Sequence, residues 1–261
     1  MQNTGFDNSN DELSITSWPE SKAASYHFNK VGNSFYNFSE GAICLDIGAG
    51  TTDISVISGA PGRIVYHTSL QYAGRYFFKP IASNMTLFGG ESDLEINSSA
   101  TSYAKNNAVF DARMRDHSDD FLRDLKNIIG RDEVKAVLQQ SQMAVSGLFY
   151  YLGELLAALK EKGIYTEDRL PDVYIGGNGS RIFSWLTGGR FEDSNNYLSI
   201  IKNILERKSG LARDAAFRIY LSEKPKIEVV AGMIGDKPTN CLLYTSPSPR
   251  DLSTSRMPSS A

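Results

Sequence analysis

The stretch that decides the fold is LDIGAGTTDIS, Leu45 to Ser55. Apolar residues run into Asp46. A Gly48-Ala49-Gly50 turn follows, then Thr51, Thr52, Asp53 and more apolar residues. Successive backbone N–H groups in a tight turn grip phosphate well, because the donors are preorganised. Side chains beside them must be small, which Gly48, Ala49 and Gly50 satisfy. The Thr51 and Thr52 hydroxyls can add hydrogen bonds. Asp46 and Asp53 bracket the turn, and a carboxylate near phosphates is repelled unless a cation intervenes. Acids there imply Mg²⁺ held through its waters, or a carboxylate that orients an attacking water. Taken alone, the pattern fits equally well a glycine hairpin with capping acids.

Working outward, Ala42–Ile47, Asp53–Ser58 and Arg63–Thr68 read as three strands of an antiparallel meander, joined by the Gly-Ala-Gly turn and by GAPG, Gly59 to Gly62. Upstream, Trp18 to Asn29 reads as a short helix with Pro19 at its first position. Downstream, Asp119–Ile129, Arg131–Gln140 and Met143–Lys162 read as three helices. In the last, Val145, Leu148, Phe149, Leu152, Leu156 and Leu159 share one face. Gly147 and Gly153 either weaken that helix or let another backbone approach it. Asp172–Ile175 reads as a strand running into GGNGSR, Gly176 to Arg181, with room for a helix after the turn. Phe217–Ser222 is a further strand, and Lys226–Ile234 carries a helical face. The predicted fold class is α/β with a helical insert. Residues 1–82 and 168–240 form a discontinuous core, and 83–167 form a mainly helical subdomain.

The 261 residues are 41% hydrophobic and 22% charged, a globular composition for one large or two modest domains. Basic residues are dispersed at a net charge of −3, so no nucleic-acid footprint stands out. Apolar runs are short, which predicts no membrane span, and the polar start lacks a signal-peptide plan. Residues 241–261 differ abruptly from the rest. They are rich in Ser, Pro and Arg, and they reverse-translate into a string resembling a transposase-type sequencing adapter. They are read as a non-native, disordered tail, with Met1 equally readable as an internal methionine of a longer chain. That leaves Cys44 as the one native cysteine, which suits a reducing, cytoplasmic setting. His27, His67 and His117 show no ligand spacing. No GKT or GKS is present, which excludes a P-loop, and GNGSR is not a GxSxG elbow.

The two glycine turns and their flanks together resemble the actin-like ATPase superfamily, which includes Hsp70 chaperones, bacterial actins and sugar kinases. LDIGAGTTDISV resembles its second phosphate motif and YIGGNGSRIF its adenosine motif. WPESKAASY, with Glu20, and PKIEVVAGMI resemble its two connecting helices. SLQYAGRYF, Ser69 to Phe77, resembles the glycine-containing loop after the meander. The five segments occur in family order. The resemblance implies a ribonuclease H-like second lobe that binds ATP and Mg²⁺ against a first lobe absent from this sequence. Asp46 would hold Mg²⁺ through water. Gly48, Ala49, Gly50, Thr51 and Thr52 would line the phosphates, and Asp53 would position the metal's waters or the attacking water. Gly176, Gly177, Gly179, Ser180 and Arg181 would receive the adenosine. Three departures stand out: Ala49 replaces a usual glycine, GGNGSR is one residue longer than the Hsp70-like GGSxR, and Arg75 stands where Hsp70s carry an acid.

The resemblance implies one of three activities in the intact parent. The first is an ATPase whose cycle drives lobe closure, with protein clients. The second is a self-associating, filament-forming bacterial actin. The third is a sugar or acetate kinase. The meander and the Glu20 helix favour the first two.

Overall fold

The computed structural model describes residues 38, 41–58, 63–84, 87, 127, 128, 130–192, 194–222 and 225. The Trp18–Asn29 helix, the GAPG turn, most of Asp119–Ile129, the Lys226–Ile234 helix and the tail lie outside the described residues. Strands β1 (Ala42–Ile47), β2 (Thr52–Ser58) and β3 (Arg63–Leu70) form the expected antiparallel meander. Strand β4 (Asp172–Gly176) pairs with β1 in parallel, and β5 (Ile219–Leu221) pairs in parallel with β4. The sheet order is β3-β2-β1-β4-β5.

Every residue of β1 is buried, as a strand covered on both faces must be. Alternation sorts its side chains. Ile43, Leu45 and Ile47 join Ile54 and Val56 in the main core. Ala42 and Cys44 face the other way with Phe38, Ile57 and Tyr174. There Tyr174 stacks on Tyr220 at 4.8 Å and meets Phe38 edge-on at 5.1 Å. Burial pushes the Cys44 thiol well above its usual range, so the group stays protonated.

Among the described residues, four α-helices follow or separate the strands: α1 (Gly74–Ala82), α2 (Asp132–Glu161), α3 (Ile182–Leu186) and α4 (Asn196–Ser209). The two helices expected over Arg131–Gln140 and Met143–Lys162 are one, the 30-residue α2. Nothing between them breaks a helix: Ser141 and Gln142 are tolerated, and Ser141 is fully buried. By length and composition α2 could cross a membrane, but its apolar stripe, Val145 to Leu159, lies in one core with the sheet. It packs against α1 and α4.

Gly153 allows the contact with α4, since a methyl there would run into Lys208 Cβ and stand 3.3 Å from the Ser209 nitrogen. Of the two roles offered for the α2 glycines, close approach is the one realised at Gly153. Lys208 closes the seam by donating to Tyr150 Oη at 3.0 Å and pairing with Glu154 at 3.3 Å.

Two elements differ from expectation. The Ser69–Phe77 segment is not all loop: β3 runs to Leu70 and α1 begins at Gly74. Helix α4 was not anticipated, although its signals are local. Asn195 caps it by accepting from the Tyr197 N–H at 2.9 Å, and Gly210 ends it in the left-handed region.

Candidate functional site

Strand β1 ends at Ile47 and β2 starts at Thr52, so Gly48–Thr51 is a four-residue loop closed by a Gly48 N–H to Thr51 oxygen bond of 2.9 Å. Helix α1 holds the loop from below. Gly74 N–H donates to Gly48 oxygen at 3.1 Å, and Arg75 N–H donates to Ala49 oxygen at 2.8 Å. The loop carbonyls are thereby turned toward α1. Among the described residues nothing accepts from the Ala49, Gly50 or Thr51 amides, and Ala49 and Thr51 are exposed. Three successive free amides at an exposed turn are the donor set of an anion nest.

Asp46 and Asp53 are direct cross-strand partners, so both carboxylates rise from one face of the sheet beside this loop. Asp46 is nearly buried, at 8% exposure, and Asp53 is half-buried. Like charges placed opposite each other destabilise a sheet unless something compensates them. No group of three or more His, Cys, Asp or Glu side chains gathers among the described residues. Two carboxylates alone do not make a protein cage for a metal ion.

The second turn lies against the first. Asp46 pairs with Gly176 across β1 and β4. Gly177 has φ +77°, and a methyl there would collide with Asp46 Oδ1 and stand 2.6 Å from the Ile47 nitrogen and oxygen. A methyl on Gly179 would stand 2.5 Å from Gly48 oxygen. Gly74 completes the packing, its own missing methyl 3.2 Å from Gly179 Cα. Three glycines thus let two backbone turns and a helix start meet. Asn178–Arg181 forms a single 3₁₀ turn leading into α3. Within it, Asn178 Oδ1 and Ser180 Oγ are buried without a hydrogen-bond partner among the described residues.

The predicted residues divide accordingly. Asp46, Gly48, Ala49, Gly50, Thr51 and Asp53 surround the loop, and Gly176, Gly177, Gly179, Ser180 and Arg181 adjoin it. Thr52 is the exception. Its side chain is fully buried and donates to Tyr72 oxygen at 2.7 Å. It sits on the Ile47 face of the sheet, opposite the acids, because it pairs with Ile47. Its hydroxyl therefore braces the loop and does not line it. The α1 amides at Gly74 and Arg75 were missed, since a bond from a helix start to a distant loop leaves no local sequence signal.

Chain connections leave β1 toward β2 on one side and β4 toward β5 on the other, so the crevice between β1 and β4 is the sheet's topological switch point. Both glycine turns lie at the carboxyl ends of those two strands, where α/β sheets bind ligands. The fold is mixed α/β, a five-stranded sheet with helices packed on it. No family model and no curated protein matches the chain, but some solved structures are similar to it. EutJ, an ethanolamine utilization protein from Carboxydothermus hydrogenoformans, is similar at TM-score 0.36 and 15% identity over 82% of this chain and 53% of that one. A MamK double helical filament gives 0.44 and 16% over 84% and 59%. MreB5 of Spiroplasma citri bound to ADP gives 0.32 and 15% over 85% and 59%. The chain spans a little over half the length of each.

Proposed function

We propose that this chain is the second, nucleotide-binding lobe of an ATPase that holds Mg·ATP between two lobes. The observation that supports this best is the meeting of the two glycine turns at the switch point, with Gly179 packed on the Gly48 carbonyl and opposed carboxylates beside them. The Ala49, Gly50 and Thr51 amides would bind phosphate oxygens. The Asn178–Arg181 turn would take the nucleoside, giving Asn178 Oδ1 and Ser180 Oγ partners. Bound Mg²⁺ would neutralise phosphate charge, with Asp46 holding its waters. Asp53 would accept a hydrogen bond from the water that attacks the γ-phosphate, and the loop amides would bear the charge developing on the phosphoryl oxygens.

Half of a two-lobed site gives half of the contacts. Titration of the chain with Mg·ATP by calorimetry should show weak binding at best, whereas the intact parent should bind tightly. Submicromolar affinity in the isolated chain would contradict the half-site account. Absence of nucleotide binding in the parent would end the ATPase reading.

A further inference from the structure

We propose that Tyr72 is a positioning residue, a strut that ties the phosphate loop to the middle of helix α2. The proposal rests on reading Gly48–Thr51 as the phosphate cradle. Tyr72 sits between β3 and α1 and is held at both ends. Its carbonyl accepts the Thr52 hydroxyl at 2.7 Å, directly after the cradle. Its own hydroxyl donates to Ala144 oxygen on α2 at 2.8 Å. Two and three residues on, the Gly74 and Arg75 amides hold Gly48 and Ala49. Residues 72–75 therefore form a bracket under the loop, and the Tyr72 hydroxyl is its anchor on the long helix.

The surroundings fit a strut. Tyr76 stacks on the Tyr72 ring at 5.1 Å and Phe77 meets it edge-on at 5.4 Å, so the ring has little freedom. Gly147, one turn along α2 from Ala144, leaves space for the hydroxyl, since a methyl there would stand 3.2 Å from it. Tyr197 of α4 donates to Gln142 oxygen at 3.0 Å on the same turn of α2. One stretch of α2 thus receives hydroxyls from both the cradle bracket and α4. A ligand that shifts the Gly48–Thr51 carbonyls would pull on α1, on Tyr72 and so on α2.

The test uses the full chain and amide hydrogen exchange over residues 48–52 and 141–150, with and without millimolar Mg·ADP. Tyr72→Phe removes one hydroxyl and keeps the stacked ring. In the ligand-free variant, exchange over 48–52 should rise about fivefold, the effect of one net hydrogen bond, while β4 stays unchanged. Thr52→Val should reproduce that rise and Thr52→Ser should reverse it. In the parent chain, Mg·ADP should slow exchange over both segments. In Tyr72→Phe it should still slow 48–52 but lose its effect on 141–150. Equal protection of 141–150 in both proteins overturns the strut alone. If Mg·ADP protects neither segment of the unsubstituted chain, the half-site does not hold nucleotide on its own. The ligand-free comparison then decides the strut: a fivefold rise supports it, and unchanged exchange overturns it.

Discussion

Asp46 and Asp53 stand directly opposite each other at the turn end of the β1–β2 hairpin, with the glycine loop between them in sequence. Like charges placed directly opposite each other oppose strand pairing. Asp53→Asn should therefore stabilise the nucleotide-free chain by about 0.5 kcal/mol, measured by urea unfolding. In the two-lobed ATPase proposed above, the same change should slow hydrolysis by about 100-fold or more, the usual loss of a general base. Asp46→Ala should abolish hydrolysis there. Unchanged turnover in either variant would move its assigned role elsewhere.

Gly177 and Gly163 both adopt positive φ, but their surroundings differ. Nothing lies within 4 Å of a methyl at Gly163, whereas one at Gly177 meets Asp46 and the Ile47 backbone. Gly163→Ala should cost about 1–2 kcal/mol, the left-handed penalty alone. Gly177→Ala should cost about 3 kcal/mol or more, because overpacking adds to that penalty. Equal shifts in the urea midpoint would mean that the two turns do not pack as described.

Helix α2 offers a second paired comparison. Alanine has the higher helix propensity by about 1 kcal/mol, so both glycine replacements gain locally. Gly153→Ala should nevertheless destabilise by about 1–2 kcal/mol, since its methyl forces α4 away at Lys208 and Ser209. Gly147→Ala should cost less than Gly153→Ala, because Gly147 is exposed and the atom its methyl would crowd, at 3.2 Å, is the Tyr72 hydroxyl at the end of a side chain. Thermal melts in which Gly147→Ala lost as much as Gly153→Ala would refute the α2–α4 contact.

Asp214 accepts from the Ala216 N–H at 3.0 Å and from the Arg169 guanidinium at 3.0 Å, which together hold its carboxyl below the ordinary range. A depressed folded pKa stabilises the protein fully above the unfolded value and loses that contribution as pH falls through the folded one. Asp214→Asn should thus melt earlier than the parent at neutral pH. The gap should narrow as pH drops below about 4, the ordinary aspartate value. A gap that widens in acid would assign the effect to something other than this carboxylate.

Much of the lobe was legible locally. Strand β1 matches its predicted bounds, and β2 and β4 differ by one residue at one end, because β-branched runs between glycine turns leave few alternatives. The apolar stripe of α2 was legible for the same reason, whereas its continuity through Ser141 was not, since an interior serine breaks a helix only if tertiary contacts reward the break. Asp46, Gly48, Ala49, Gly50, Thr51 and Asp53 meet at one turn because they are neighbours in sequence, whereas burial of the Thr52 hydroxyl on the core face was not legible, since a hydroxyl beside a turn and one beneath it look alike until strand pairing assigns the face.

By itself, the sequence determined the periodic and the local: which segments extend, which turn, and which acids flank the glycines. Those features depend on steric preferences and hydrogen bonds within a few residues. Only the tertiary structure decided that Gly179 would rest on Gly48, that the α1 amides would hold the loop, and that Tyr72 would reach α2. Each joins segments at least 25 residues apart, where the chain carries no record of proximity until the sheet and its core place them together.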